Sequence, residues 1–329
     1  MLIMNKVLPD HVEYGGGFER KFRNEIVLDH KVADLTYNSY YIAGTTSDRV
    51  YLGNYSAPRH LISISTSLED TVFLTLKLPS RTKFIESGLQ VSVYFKKIFA
   101  SETITPAILE GTVNDWQMEC WTIPKTKMLS APAIISSTSF VAKSYDPSTQ
   151  KSILTKISMT AETPSYDADV LEKQIDGLFC TDGFIVHDPL SARLVYIYYY
   201  RNEFICLDTS LQVLYRAHTI DTVSKAHLKV SMISSERTRT LSAPPVVVNK
   251  RGFISNEKIY IHSALISDHE DRKSFEGSFV IDVYFSLTGR YSFSFYLPQV
   301  AGNSLNSLSV TDNAIYTIQD HFLVSYSIR

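Results

Sequence analysis

Tryptophan is scarce in this chain, with two residues in 329, against 20 tyrosines and 17 phenylalanines. Tyrosine and phenylalanine suit extended strands whose side chains pack on a pleated surface, so the aromatic balance points to a strand-rich protein. The three cysteines, Cys120, Cys180 and Cys206, have no CxxC spacing, which argues against a zinc or iron–sulphur centre. Cys180 and Cys206 lie in apolar runs and read as buried thiols, with a disulfide between them as the alternative. No run of 18 apolar residues occurs, so no transmembrane segment is expected. The opening MLIMNKVLPDHVEYGGGF has only a short apolar cluster before Lys6, Pro9 and Asp10, unlike a signal peptide. A processed envelope or periplasmic protein would read the same way, so localisation stays open. Net charge is −2 with no basic stripe, which argues against a nucleic-acid partner.

Long amphipathic helices are missing too. Asp167–Phe179 and Asp221–Met232 read at most as single helical turns, with Asp167 or Asp169 as a cap for the first. Strand signals fill the rest. From Asp176 to Thr219 the chain reads DGLFCTDGFIVHD, RLVYIYYY, EFICLDT and VLYRAHT, four short runs parted by turn residues. That is a four-stranded antiparallel meander. Tyr40–Leu76 and Val246–Pro298 repeat the pattern, the latter with a charged loop, ISDHEDRKSFEG, before its third strand. Two less regular units fall between residues 88–124 and 131–170, and the fourth strand of the latter is faint, near Thr163–Asp167.

The last unit, Leu308–Ile328, has three strands, because the sequence ends at Arg329. Near the start, Phe18–Phe22 (FERKF) is a strand without a partner. Pairing it antiparallel with His321–Ile328 completes the last unit and hides two open edges. The expected fold is therefore all-β, a six-bladed β-propeller of four-stranded antiparallel blades, closed by the N-terminal strand. Residues 1–329 would form a single domain, with a closing strand at 18–23 and blades at roughly 37–78, 88–124, 131–170, 174–220, 241–298 and 304–329. Two β-sandwiches would suit the strand density, but they use Greek-key crossings and need no terminal partner.

In the stretches YNSYYIAG and RVYLGNYSAP, residues Tyr37–Gly44 and Val50–Pro58, together with Asp176–Asp208, resemble blades of a group of bacterial proteins, mainly of the Bacteroidetes type. That group is similar to TolB-like six-bladed propellers. The resemblance implies the propeller fold and brings no assigned reaction. The Gly-His and Trp-Asp pairs of WD40 repeats and the kelch double glycine are absent.

In a propeller the first strand of each blade lines the channel, so polar residues at the ends of those strands converge on its mouths. The candidates are Asn38, Tyr40, Asp176, Asp182, His187, Asn249, Asn256 and Asp312. Each has a simpler reading, since Asp and Asn at strand ends commonly bond their own turns. His187 precedes Asp188, whose carboxylate is placed to hold one ring nitrogen. Asp182, His187, Asp188 and His218 in one blade, and Asp268–Asp271 in one loop, match neither zinc nor calcium spacing; the loop reads as solvated charge. Gly15–Gly17 lacks the Lys-Ser/Thr of a phosphate loop and reads as a flexible lead. Tyr196, Tyr198 and Tyr200 share a strand face and read as core, with an aromatic ladder for sugar or peptide as the alternative. Asn54-Tyr55-Ser56 is a formal glycosylation triplet of little weight. No GxSxG motif marks a nucleophile.

Function is expected to be binding or scaffolding: a protein, peptide or small polar ligand held at one face or at the channel mouth, without a cofactor. The alternative is a metal-assisted hydrolase or lyase acting on the propeller axis, with a quinone-dependent dehydrogenase as a lesser variant.

Overall fold

A computed structural model describes residues 16–80, 84–104, 107–123, 128, 130–161, 164–167, 169–233 and 238–329. After β1 (Val27–Asp34), the chain builds blade 1 from β2 (Tyr40–Thr45), β3 (Arg49–Asn54), β4 (His60–Ser65) and β5 (Thr71–Thr75). Blade 2 is β6 (Gln90–Tyr94), β7 (Lys97–Glu102), β8 (Ala107–Thr112) and β9 (Glu119–Thr122). Blade 3 is β10 (Ala133–Ser136), β11 (Ser139–Asp146), β12 (Lys151–Ser158) and β13 (Ser165–Asp167). Blade 4 is β14 (Gly183–Asp188), β15 (Arg193–Tyr198), β16 (Glu203–Asp208) and β17 (Val213–His218). A two-stranded ribbon, β18 (Val230–Ile233) and β19 (Thr238–Leu241), leads to blade 5. Blade 5 is β20 (Asn249–Ser255), β21 (Lys258–Ser263), β22 (Ser278–Phe285) and β23 (Tyr291–Pro298). Blade 6 takes β24 (Leu305–Val310), β25 (Ala314–Gln319) and β26 (Phe322–Ile328), and β1 completes it. The protein is a six-bladed β-propeller closed by its N-terminal strand.

The packing explains why the middle strands of each blade are apolar on both faces. Each blade is sandwiched between two neighbours, so adjacent residues enter different interfaces. Tyr196 joins the core between blades 3 and 4, while Val195 and Ile197 join the core between blades 4 and 5. The interface of blades 5 and 6 gathers Ile281, Phe295, Ile315 and Tyr326, and that of blades 6 and 1 gathers Ile318, Leu323, Val50 and Leu52. Clusters between blades 1 and 2 and between blades 2 and 3 complete the circuit. Aromatic rings of Tyr and Phe size fill these interfaces, which accounts for a propeller so poor in tryptophan.

The closing strand differs from the expected one. Val27–Asp34, not Phe18–Phe22, pairs antiparallel with β26, in register from Asp29↔Ser327 to Asp34↔Phe322, with a shift between Val27 and Asp29. Most of β1 is exposed, including Leu28 and Val32, so its contribution to closure is mainly the backbone ladder. Phe18–Phe22 has the expected alternation but another task. Phe18 is buried against Val248 and Leu265. The Arg20 side chain is fully buried between carboxylates of blade 5, and Phe22 stacks on Tyr296 at 4.5 Å. Lys21 and Arg23 exchange backbone hydrogen bonds with Ser294 of β23. The segment thus runs along the outer edge of blade 5 before the chain enters blade 6.

Other local expectations shift. The fourth strand of blade 3 forms and is three residues long, pairing Ser165–Asp167 with Leu154–Lys156. Asp167 lies in this strand, and among the described residues neither Asp169–Phe179 nor Asp221–Ile233 contains a helical turn. A helix forms instead within the charged loop, at Arg272–Glu276, capped by Asp271, whose side chain accepts from the Ser274 N–H. That loop is not simply solvated, since the Glu270 side chain is fully buried against Arg20. Cys180 sits in the turn before β14, and all three cysteines are free thiols. Gly16 and Gly17 hold positive φ, and a Cβ on Gly16 would meet Asp268 Oδ1 at 2.8 Å.

Candidate functional site

The six innermost strands run the same way around the axis. Between blades 6 and 1 the Ser307 hydroxyl accepts from the Ile42 N–H and Ser309 meets Thr45, so numbers rise together along both strands. Two faces follow: an upper face, where the chain enters each inner strand, and a lower face, where it leaves through the first hairpin.

The candidate residues divide between these faces. Asn38, Tyr40, Asp176, Asp182 and Asn249 lie at the upper face; His187, Asn256 and Asp312 lie at the lower. Asn38 is exposed and hydrogen-bonds the Asp320 carboxylate. Tyr40 packs into the core of blades 6 and 1. Asp176 is buried and accepts from the Phe179 and Cys180 N–H groups, closing its own turn. Asp182 is ion-paired with Lys143 of blade 3. Asn249 is buried and donates to the Tyr198 and Arg201 carbonyls, tying blade 5 to blade 4.

At the lower face Asn256 donates to Asp312 at 2.7 Å, joining the hairpins of blades 5 and 6. Asn256 and Glu257 both have positive φ, the geometry of a two-residue hairpin turn. His187 lies on β14, the innermost strand of blade 4. Its expected partner is otherwise engaged: Asp188 accepts from the Leu190 N–H and the Ser191 hydroxyl. Burial lowers the His187 pKa, which a hydrogen bond with the Ile134 backbone partly opposes. His218 bonds the Asn202 carbonyl, so it does not join Asp182 and His187. Among the described residues, no three His, Cys, Asp or Glu side chains converge as a metal-ligand set.

The tyrosine run also divides. Tyr196 and Tyr198 are fully buried core, and the strand ends at Tyr198. Tyr199 and Tyr200 turn out at the upper face, where burial raises both phenol pKa values and Asp182 adds to the effect. Asn54 is buried, and its Oδ1 accepts from the Ser56 and Ala57 N–H groups.

A site that sequence reasoning missed lies one residue beyond Asn249. The pairing of β20 with β21 shifts between Asn249↔Ser263 and Arg251↔His262, so Lys250 is the extra residue of a bulge. Bulges re-aim side chains and are frequent beside functional sites. Here the bulge brings Lys250 to the upper rim of a cavity of about 350 Å³ between blades 5 and 6. His262, Ser263, Phe279, Gln299 and Ser304 line it as well, and Phe275 and Glu276 come from the helix within the charged loop.

His262 is the most constrained member. It is buried, its ring meets Phe279 edge-on at 5.4 Å, and Nδ1 has no hydrogen-bond partner. Burial, reinforced by Lys250 and Arg251, pulls its pKa down to about 3, so the ring is neutral at physiological pH. No carboxylate pairs with Lys250 among the described residues, and burial lowers its pKa. Arg251 donates from Nε to the Leu305 carbonyl at 3.0 Å, tying the inner strands of blades 5 and 6 beside the cavity. A pocket with a neutral imidazole in its wall and an ammonium at its rim can hold polar groups.

The fold has counterparts among solved structures. A DUF4221-family protein from Bacteroides vulgatus superposes with a TM-score of 0.54 at 9% identity, covering 93% of this chain and 99% of that one. Virginiamycin B lyase from Staphylococcus aureus gives 0.48 at 10% identity, covering 92% and 99%. BamB from Moraxella catarrhalis gives 0.41 at 12% identity, covering 87% and 85%. The likeness to the DUF4221-family protein concerns the fold alone. No protein-family model matches the sequence, and no curated protein does. Among the described residues no helix is long and apolar enough to cross a membrane.

Proposed function

We propose that this propeller is a non-enzymatic binding protein that takes a small polar ligand at its upper face, in the cavity between blades 5 and 6. The observation that carries the reading is the lining of that cavity, where Lys250 and the buried His262 ring meet the hydroxyls of Ser263 and Ser304. The phenyl walls, Phe275 and Phe279, offer an apolar surface beside the polar groups, as ligand pockets commonly do. The bacterial group suggested by Tyr37–Gly44 and Asp176–Asp208 agrees with this fold, and membership in it is part of the same proposal.

Affinity selection with mass detection tests the reading. The intact chain is incubated with a bacterial metabolite extract beside a Ser304→Trp variant, whose indole fills the rim. A small molecule retained by the wild type and lost by the variant supports the proposal. Retention of the same molecules by both proteins contradicts it.

A further inference from the structure

We infer that the cavity between blades 5 and 6 receives the oxyanion of its ligand, a carboxylate or a phosphate, on Lys250 and His262. The inference rests on reading the cavity as the binding site and adds the charge class of what enters it.

Three observations carry it. Lys250 reaches the rim because of the bulge, and no carboxylate neutralises it among the described residues. His262, on the neighbouring strand, pairs with Arg251 in the ladder, and its buried ring lines the cavity. A cation without a carboxylate partner, at the rim of a cavity lined by hydroxyls, is the arrangement that a charge-assisted hydrogen bond to an oxyanion would complete. Glu276 also lines the cavity and would repel an anion. Its carboxylate, however, is 3.0 Å from Arg272 one helical turn away, and its side chain is 64% exposed. Of the charged residues lining the cavity, Lys250 is therefore the one without an ion-pair partner among the described residues. Hydroxyls of Ser263 and Ser304 supply further donors, and the phenyl walls leave room for an organic body attached to the anionic group.

The experiment is calorimetric titration of the intact chain at neutral pH and low salt with inorganic phosphate, malonate and glucose, repeated on Lys250→Met and His262→Phe. Saturable binding of phosphate or malonate is expected, weakened roughly tenfold or more in Lys250→Met. Lys250 keeps part of its side chain in solvent while burial of the rest lowers its pKa, and methionine preserves the apolar stem, so that variant should melt with the wild type and report binding alone. Binding of phosphate alone assigns a phosphate ester; binding of malonate alone assigns a carboxylate. Equal affinities in wild type and Lys250→Met, or no anion binding, overturn the inference. Glucose binding that Ser304→Trp abolishes, without anion binding, would overturn it while leaving the binding reading intact. If no probe binds and the extract selection is also empty, both fail.

Discussion

Arg20 and Asp282 are separated by 262 residues and form a buried ion pair, with Nε 2.8 Å from Oδ1 and both side chains shielded from water. Burial alone would lower the Arg20 pKa; Asp282 and Glu270 raise it further than burial lowers it. Ser294 donates to the same Asp282 oxygen, so the pair belongs to a network across β22, β23 and the N-terminal segment. Removing one partner of such a pair leaves an uncompensated buried charge, at about 3–5 kcal/mol. Arg20→Met should lower stability by about that amount in denaturant titration. Adding Asp282→Asn should recover part of the loss, because one of the two stranded carboxylates is then neutral while Glu270 remains.

Ring closure is tested by two truncations. Deleting residues 1–34 removes β1 and exposes the edge of β26, where Val324 and Tyr326 are fully buried. Several ladder hydrogen bonds are lost, each about 1 kcal/mol net, and an open strand edge invites aggregation. Deleting residues 1–23 keeps β1 and removes the Arg20 anchor. Calorimetry should give melting temperatures in the order intact chain, shorter truncation, longer truncation, with aggregation in the last.

Tyr41 closes the interface of blades 1 and 2. Its hydroxyl accepts from the Val91 N–H at 2.6 Å, and its ring lies over Gly53, where a Cβ would meet the ring at 2.3 Å. Tyr41→Phe leaves a buried N–H unpaired and should cost about 1–3 kcal/mol. Gly53→Ala should also destabilise, because the ring must move. Equilibrium unfolding of both variants checks this; a change within about 0.5 kcal/mol, the range of ordinary surface substitutions, would contradict it.

The propeller was legible in the sequence because strands buried on both faces carry dense apolar runs. Leu194–Tyr198 feeds two interfaces at once and could hardly be anything else. The closing strand was obscure for the opposite reason. VLDHKVAD exposes nearly every side chain, and its pairing is a backbone matter that leaves little trace in residue type. Phe18–Phe22 showed the right alternation, but Arg20 between two phenylalanines marked a buried anchor. The cavity was hidden by register. Asn249 was singled out, yet the bulge that exposes its neighbour Lys250 to His262 exists only once β20 pairs with β21. A histidine within the apolar run KIYIHSAL was the one available signal.

The His262 ring supplies a pH dependence. Its folded pKa, about 3, lies below the ordinary histidine value of 6.5. Between these values the unfolded chain binds the proton that the folded chain refuses, so stability falls as pH drops from about 6.5 toward 3. The slope from this group is at most about 1.4 kcal/mol per pH unit. His187, also lowered by burial, acts in the same direction. His262→Gln should therefore flatten the acid limb of a stability–pH profile without abolishing it. Parallel profiles for wild type and variant would refute the assignment.

The most direct test of the binding account follows the imidazole of His262 by NMR, in protein labelled at histidine carbons, as the molecule selected from the extract is added. The account predicts that the His262 resonance shifts saturably in the wild type and stays fixed in Ser304→Trp. A ligand that binds, moves other histidines and leaves His262 unchanged would place the site elsewhere and contradict it.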